Sequence, residues 1–149
     1  MVISASSFQT QLVSAAIKAA VDKLSAGDVI LLEIHSPGPN SPNPSPSPDD
    51  QHGYIAVEWW PANFAAIQYA VNKGIVVVEA AGNGFQNLDD PSYDTPQTGF
   101  PSDWRNPFRA GGPDSGAIMV GAGAPPPGTH SPSNSWGPDR SRLNFSNYG

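Results

Sequence analysis

The chemistry that this chain can offer centres on Asn83. It stands in the stretch Ala80-Ala81-Gly82-Asn83-Gly84, directly after the run Ile75-Val76-Val77-Val78-Glu79. A side-chain amide at the end of a buried strand can donate a hydrogen bond to the oxygen that becomes negative during acyl transfer, which is the work of an oxyanion hole. Small residues before it leave space for a substrate side chain. Gly82-Asn83-Gly84 also reads as the G-x-G that opens a dinucleotide fingerprint, but that motif needs a third glycine at the start of a helix. Phe85-Gln86-Asn87-Leu88-Asp89-Asp90-Pro91 follows instead. Gly121-Ala122-Gly123 fails in the same way, because it runs into Pro125-Pro126-Pro127. An ordinary Asn-Gly turn is the non-catalytic alternative for Asn83.

Other reactive side chains are sparse. His52 lies beside Asp49 and Asp50, while His35 and His130 stand apart from it in sequence. Ser36, Ser115 and Ser146 lack the strand-to-helix glycine setting of a nucleophile elbow and read as turn or surface serines. Asp89, Asp90 and Asp94 offer oxygens to a hard cation. Their spacing fits no calcium loop, so they are expected to be solvated turn acids, and no metal or other cofactor is expected. Trp59-Trp60 is either a binding platform or, more simply, aromatic packing against a sheet.

The elements that must position these groups follow from hydrophobic spacing. Leu12, Val13, Ala16, Ile17, Ala20, Val21 and Leu24 fall on one helical face, and Gly27 follows as a stop. Residues 28–35 form a short apolar run that predicts a strand covered on both faces. A second helix is expected after Pro61, with Phe64, Ile67, Ala70 and Val71 turned inward and Gly74 closing it. Strands are expected over residues 75–80 and 116–122, with a short fourth over 143–146. This order predicts a parallel sheet flanked by helices, an α/β three-layer domain. In such sheets ligands bind beyond the carboxyl ends of the strands. Glu33, Ile34, His35 and Ser36 therefore share the functional edge with Ala80, Ala81, Gly82, Asn83 and Gly84.

The chain has 149 residues, enough for one domain. Its formal charge is −6, and its seven Lys and Arg are scattered, so nucleic acid and anionic membrane are not expected partners. Cysteine is absent, which excludes disulfides and thiol catalysis. The N-terminal residues lack a signal-peptide pattern, and no apolar run is long enough to span a bilayer. The densest Pro/Ser patch, within residues 36–53, reads as a loop insertion of extended, polyproline-like character.

Taken in order, four motifs resemble the subtilisin-like serine proteases, the subtilases. SAAIKAAVDKLSAGDVILLEIH is similar to the family's helix and strand before the oxyanion segment. AVNKG followed by AAGNG resembles its central strand and oxyanion turn, SGAIMVGAGA its next strand, and LNFSNYG its F-S-N-x-G turn. The resemblance implies that Asn83 is the oxyanion donor. It implies further that Glu33, Ile34, His35, Ala80, Ala81 and Gly82 line the substrate cleft, and that a peptide or protein is the substrate of the complete enzyme. The family's D-[ST]-G, H-G-T and G-T-S-x-[AS] motifs, which carry the Asp/His/Ser triad, do not occur here. His52 follows the strand that the family's histidine should precede. The chain thus resembles a single incomplete catalytic domain over residues 1–149, with a partial subtilisin-like fold, inactive alone and prone to self-association through uncovered sheet edges. Complete members are often secreted. A peptide-binding or structural module, or an esterase rewired around a local histidine, are the alternatives. Glu33 and Glu79, where the family has small residues, are expected to meet near the strand ends and to favour cationic substrates or supply a carboxyl group beside the nucleophile, or else to pair with Arg105, Arg109 or backbone donors.

Overall fold

A computed structural model describes residues 10–42, 50–129 and 136–149. The first helix, α1 (Thr10–Val21), buries Val13, Ile17 and Val21, spaced four apart so that they stack on one face. Leu12, on the shoulder of that stripe, is exposed. The second helix, α2 (Pro61–Asn72), starts with proline at its first turn, where the missing N–H costs nothing, and buries Asn63, Ala66, Ile67 and Ala70. Phe64 and Val71, expected inward, are only partly covered.

Three parallel strands form the main sheet: β1 (Val29–Leu32), β4 (Val76–Ala80) and β5 (Ile118–Val120), in the order β1-β4-β5. β1 pairs with β4 from Val29 opposite Val76 to Leu32 opposite Glu79, and β4 pairs with β5 from Val78 opposite Ile118 to Ala80 opposite Val120. The α/β class and the parallel pairing agree with the sequence. Both helices pack on one face, where Val13, Ile17 and Val21 meet Ile30, Leu32, Ala66, Ile67, Ala70 and Val77 in a single core. The opposite face was expected to be covered and is not. Val29, Leu31, Val76, Ile118 and Val120 are 42–59% exposed there. An apolar run shows what a strand is able to bury on both sides, and here the described residues supply cover for one side only.

Two further departures concern the strand ends. β1 stops at Leu32; after Glu33 and Ile34, His35 opens a separate strand, β2 (His35–Pro37). It pairs antiparallel with β3 (Tyr54–Ala56), His35 lying opposite Ala56 and Pro37 opposite Tyr54. The start of the expected Pro-rich loop is thus one side of a short hairpin, whereas residues 43–49 lie outside the described residues. The fourth expected strand, over residues 143–146, is a turn instead, flanked by single bridges of Gly123 with Arg142 and of Asn87 with Tyr148. The Arg142 guanidinium donates to the carbonyl oxygens of Leu143, Asn144 and Ser146, which favours the turn over an extended run.

A second, aromatic core lies beyond the first. Trp59 is fully buried against Trp60, Phe100 and Trp104, with ring centroids 5.1–5.3 Å apart, and its Nε1 donates to the Tyr93 carbonyl. Trp59 and Trp60 are therefore packing residues, because an indole buried on all sides presents no platform.

Candidate functional site

β4 delivers its last residues to the middle of the sheet's carboxyl edge. Ala81 continues the ladder, its N–H donating to the Val120 carbonyl at 2.9 Å. The chain then turns at Gly82, whose φ of +99° is open to glycine and strained for other residues. Gly84 meets a different constraint: a Cβ there would collide with the Tyr54 backbone. These two glycines let the segment lie directly on β3.

Asn147, from the F-S-N-x-G turn, locks the segment in place. Its Nδ2 donates to the carbonyls of Tyr54 and Ala81, each at 2.7 Å, and its Oδ1 accepts the Gln86 N–H at 2.9 Å. Its own N–H donates to the Gly82 carbonyl at 3.0 Å. Ser146 adds a bond from the Ala122 N–H and is itself a donor to the Asn147 carbonyl. Behind this lock, Gln86 accepts from Tyr93 Oη (2.8 Å) and from Asn40 Nδ2 (3.1 Å), and its Nε2 donates to the Gly84 carbonyl.

Asn83 itself is half-buried at the lip. Its backbone N–H donates to His35 Nδ1 at 3.2 Å, and its side-chain Nδ2 donates to Gln51 Oε1 at 3.1 Å. The amide therefore already holds a carbonyl oxygen, the same kind of acceptor that an acyl-transfer intermediate would present. His35 is half-buried with its ring edge-on to Tyr54, centroids 5.0 Å apart, and burial lowers its pKa below 6.5.

Of the residues expected to form the site, the structure gathers Asn83, Gly82, Ala81 and His35 around Gln51 and Asn147. Ala80 ends β4 beside Val120. Ile34 packs against the helix-side core instead of lining a cleft. Glu33 is exposed, and the register puts Leu32, not Glu33, opposite Glu79. The expected Glu33–Glu79 pair is thus replaced by another. Glu79 is fully buried, and its Oε1 accepts the Glu58 N–H at 3.0 Å while its Oε2 has no partner. Burial, reinforced by the Glu58 charge, pushes Glu79 up to about 8, against the smaller downward pull of the Glu58 and Val57 backbone bonds. Glu58 is raised too, chiefly by burial, although the Ser115 hydroxyl donates to its Oε2 and opposes the shift. Neither expected arginine reaches this pair: Arg109 forms a two-pronged bond with Asp94, and Arg105 Nη1 donates to the Trp104 carbonyl.

The remaining candidates are placed as follows. His52 is exposed beside the Phe85 ring, and His130 lies outside the described residues. The hydroxyls of Ser115 and Ser146 are spent on Glu58 and on the Asn147 backbone, so neither pairs with histidine as a rewired esterase would require. After Gly84 the chain enters turns and a short 3₁₀ segment, not the helix N-terminus that a pyrophosphate would need. Asp90 accepts the Ser92 N–H, and among the described residues no group of three acidic or imidazole side chains is arranged to hold a metal ion. A cleft of about 530 Å³ lies elsewhere, between Pro61, Phe64 and Trp104, and contains none of the expected site residues. No helix among the described residues is long and apolar enough to cross a membrane.

No family model, curated protein or solved structure matches this chain. The functional reading therefore stands on the residues and their geometry.

Proposed function

We propose that the chain is the central part of a subtilisin-like serine endopeptidase domain, carrying the oxyanion-hole amide Asn83 and part of the substrate cleft. One observation carries this reading. A half-buried side-chain amide follows the carboxyl end of the middle strand of a parallel sheet, the edge at which open α/β sheets bind ligands. The tie between the F-S-N-x-G turn and the A-A-G-N segment through Asn147 supports it, since it gives both motifs one shared purpose.

In the complete domain, a further helical layer would cover the bare sheet face and produce the three-layer arrangement. Flanking segments would bring the Asp, His and Ser of the triad. A substrate oxygen would displace the Gln51 carbonyl from Asn83. Among its described residues the chain has a donor for the oxyanion and no nucleophile beside it, so peptide hydrolysis by the chain alone is not expected. Its uncovered apolar face favours self-association. Because Asn83 is already satisfied within the chain, a non-catalytic peptide-binding module is the second reading.

The test joins this chain to the segments of a subtilase that bear H-G-T and G-T-S, and follows hydrolysis of a chromogenic peptide. Activity is expected only after joining. Asn83→Ala should then lower kcat roughly 10²–10³-fold with little change in KM, the magnitude established for a subtilisin's oxyanion asparagine. An active joined enzyme indifferent to Asn83→Ala would end the reading, and saturable peptide binding without hydrolysis would favour the second.

A further inference from the structure

We propose that His35 is a positioning residue for the Asn83 segment, and that it holds the segment only while its ring is neutral. The proposal follows from the direction of one hydrogen bond. The Asn83 N–H points at His35 Nδ1, 3.2 Å away, so that nitrogen must offer its lone pair and the ring proton must sit on Nε2. A protonated ring carries hydrogen on both nitrogens. Nδ1–H would then confront the Asn83 N–H, turning an acceptor into a second donor at the same place.

The surroundings make this contact specific. His35 begins β2 opposite Ala56, and its ring stands edge-on to Tyr54 at an interplanar angle of 66°, so the imidazole is held in one orientation. Of the titratable groups on the neighbouring elements, Tyr54 on β3 touches the His35 ring; Glu33, on the link from β1, is exposed, and Asp50 and His52 lie on the approach to β3, His52 against the Phe85 ring. Asp50 accepts the His52 N–H, and Glu79 on β4 is turned toward Glu58. Burial is what lowers the His35 pKa, and this keeps the ring neutral at neutral pH. Acid therefore releases the Asn83 N–H, leaving Asn83 its Nδ2–Gln51 bond while the Asn147 bonds still hold the Ala81 and Gly82 carbonyls on either side of the turn. On the reading that Asn83 is the oxyanion donor, acid would loosen the oxyanion lip.

The experiment uses the intact chain labelled with ¹⁵N and needs no catalysis. Long-range ¹H–¹⁵N correlation at neutral pH should show the Nε2–H tautomer of His35. Titration from pH 8 to 5 should move the Asn83 amide signal with the same midpoint as the His35 ring, below 6.5. Corrected hydrogen exchange at Asn83 should rise about tenfold across that step. His35→Asn, which sets a non-titrating carbonyl oxygen near the Nδ1 position, should abolish the step, whereas His52→Asn should leave it. An Nδ1–H tautomer, an Asn83 amide that ignores the His35 titration, or a step that survives in His35→Asn would overturn the proposal. The wild-type titration decides even if a variant fails to fold. A coupled titration together with a joined enzyme indifferent to Asn83→Ala would keep this contact and discard the oxyanion reading, so the two failures are distinguishable.

Discussion

Replacing Glu79 by glutamine should stabilise the protein, and increasingly so as pH rises. Glu79 is fully buried, one carboxyl oxygen has no partner, and its neighbour Glu58 is also acidic. Its pKa is raised from 4.5 to about 8, so the folded state binds a proton that the unfolded state releases over that interval. The contribution is fully present below pH 4.5 and is lost progressively as pH climbs to 8. At about 1.4 kcal/mol per pH unit, the loss is about 3 kcal/mol at pH 7 and about 5 kcal/mol above pH 9. That is a large share of a typical stability of about 5–15 kcal/mol. Glutamine keeps the shape and the acceptor oxygen without ever ionising. Urea unfolding of both proteins at intervals from pH 4.5 to 9 should therefore give curves that separate with pH, the variant gaining. Glu58→Gln should leave the onset near pH 4.5 but make the loss smaller and end it at lower pH, because one charge that raises Glu79 is removed. Parallel curves for wild type and Glu79→Gln would refute the account of a buried carboxyl held protonated.

Two other outcomes are expected. Asn147→Ala removes two donated bonds and one accepted bond in a buried setting, leaving the Tyr54 and Ala81 carbonyls and the Gln86 N–H unpaired. At about 1–3 kcal/mol for each of the three orphaned groups, a destabilisation of about 3–9 kcal/mol should appear in the same urea assay, with altered amide signals from residues 81 to 86. Leu31→Lys combined with Val120→Lys places two charges on the bare sheet face. Sedimentation velocity should show less concentration-dependent association than for the wild type, with no loss of the helix-side core.

Much of the frame was legible because it rests on local periodicity. Val13, Ile17 and Val21 announce α1 by their spacing, and Pro61 and Gly74 bracket α2. The valine run of β4 and the Asn83 that follows it can be read as a strand meeting a functional edge. What could not be read depends on partners distant in sequence. His35 looks like the end of β1, yet it pairs with Ala56 across the Pro-rich stretch, and Ser36-Pro37 carries no alternation to reveal this. Strand adjacency alone suggests Glu33 as the carboxyl neighbour of Glu79, but the register sets Leu32 opposite Glu79, and successive side chains point to opposite faces. Gln51 and Asn147 reach Asn83's segment from 32 and 66 residues away, distances at which spacing carries no signal. Of the two, Asn147 had a sequence cue in its motif, and Gln51 had none.

Asn147 also sets an order of events. A ribosome releases β3, β4 and the glycine turn well before residues 145–147, so the Tyr54, Ala81 and Gly82 carbonyls emerge without their Asn147 donors. Only when the later turn arrives can one amide bind the Tyr54 and Ala81 carbonyls together, adding to the bonds of Gly53, His35 and Gln51 that earlier residues supply. The last fastening of this edge is thus conferred late in synthesis, and a nascent chain arrested after residue 140 would carry the Asn83 segment without its Asn147 bonds.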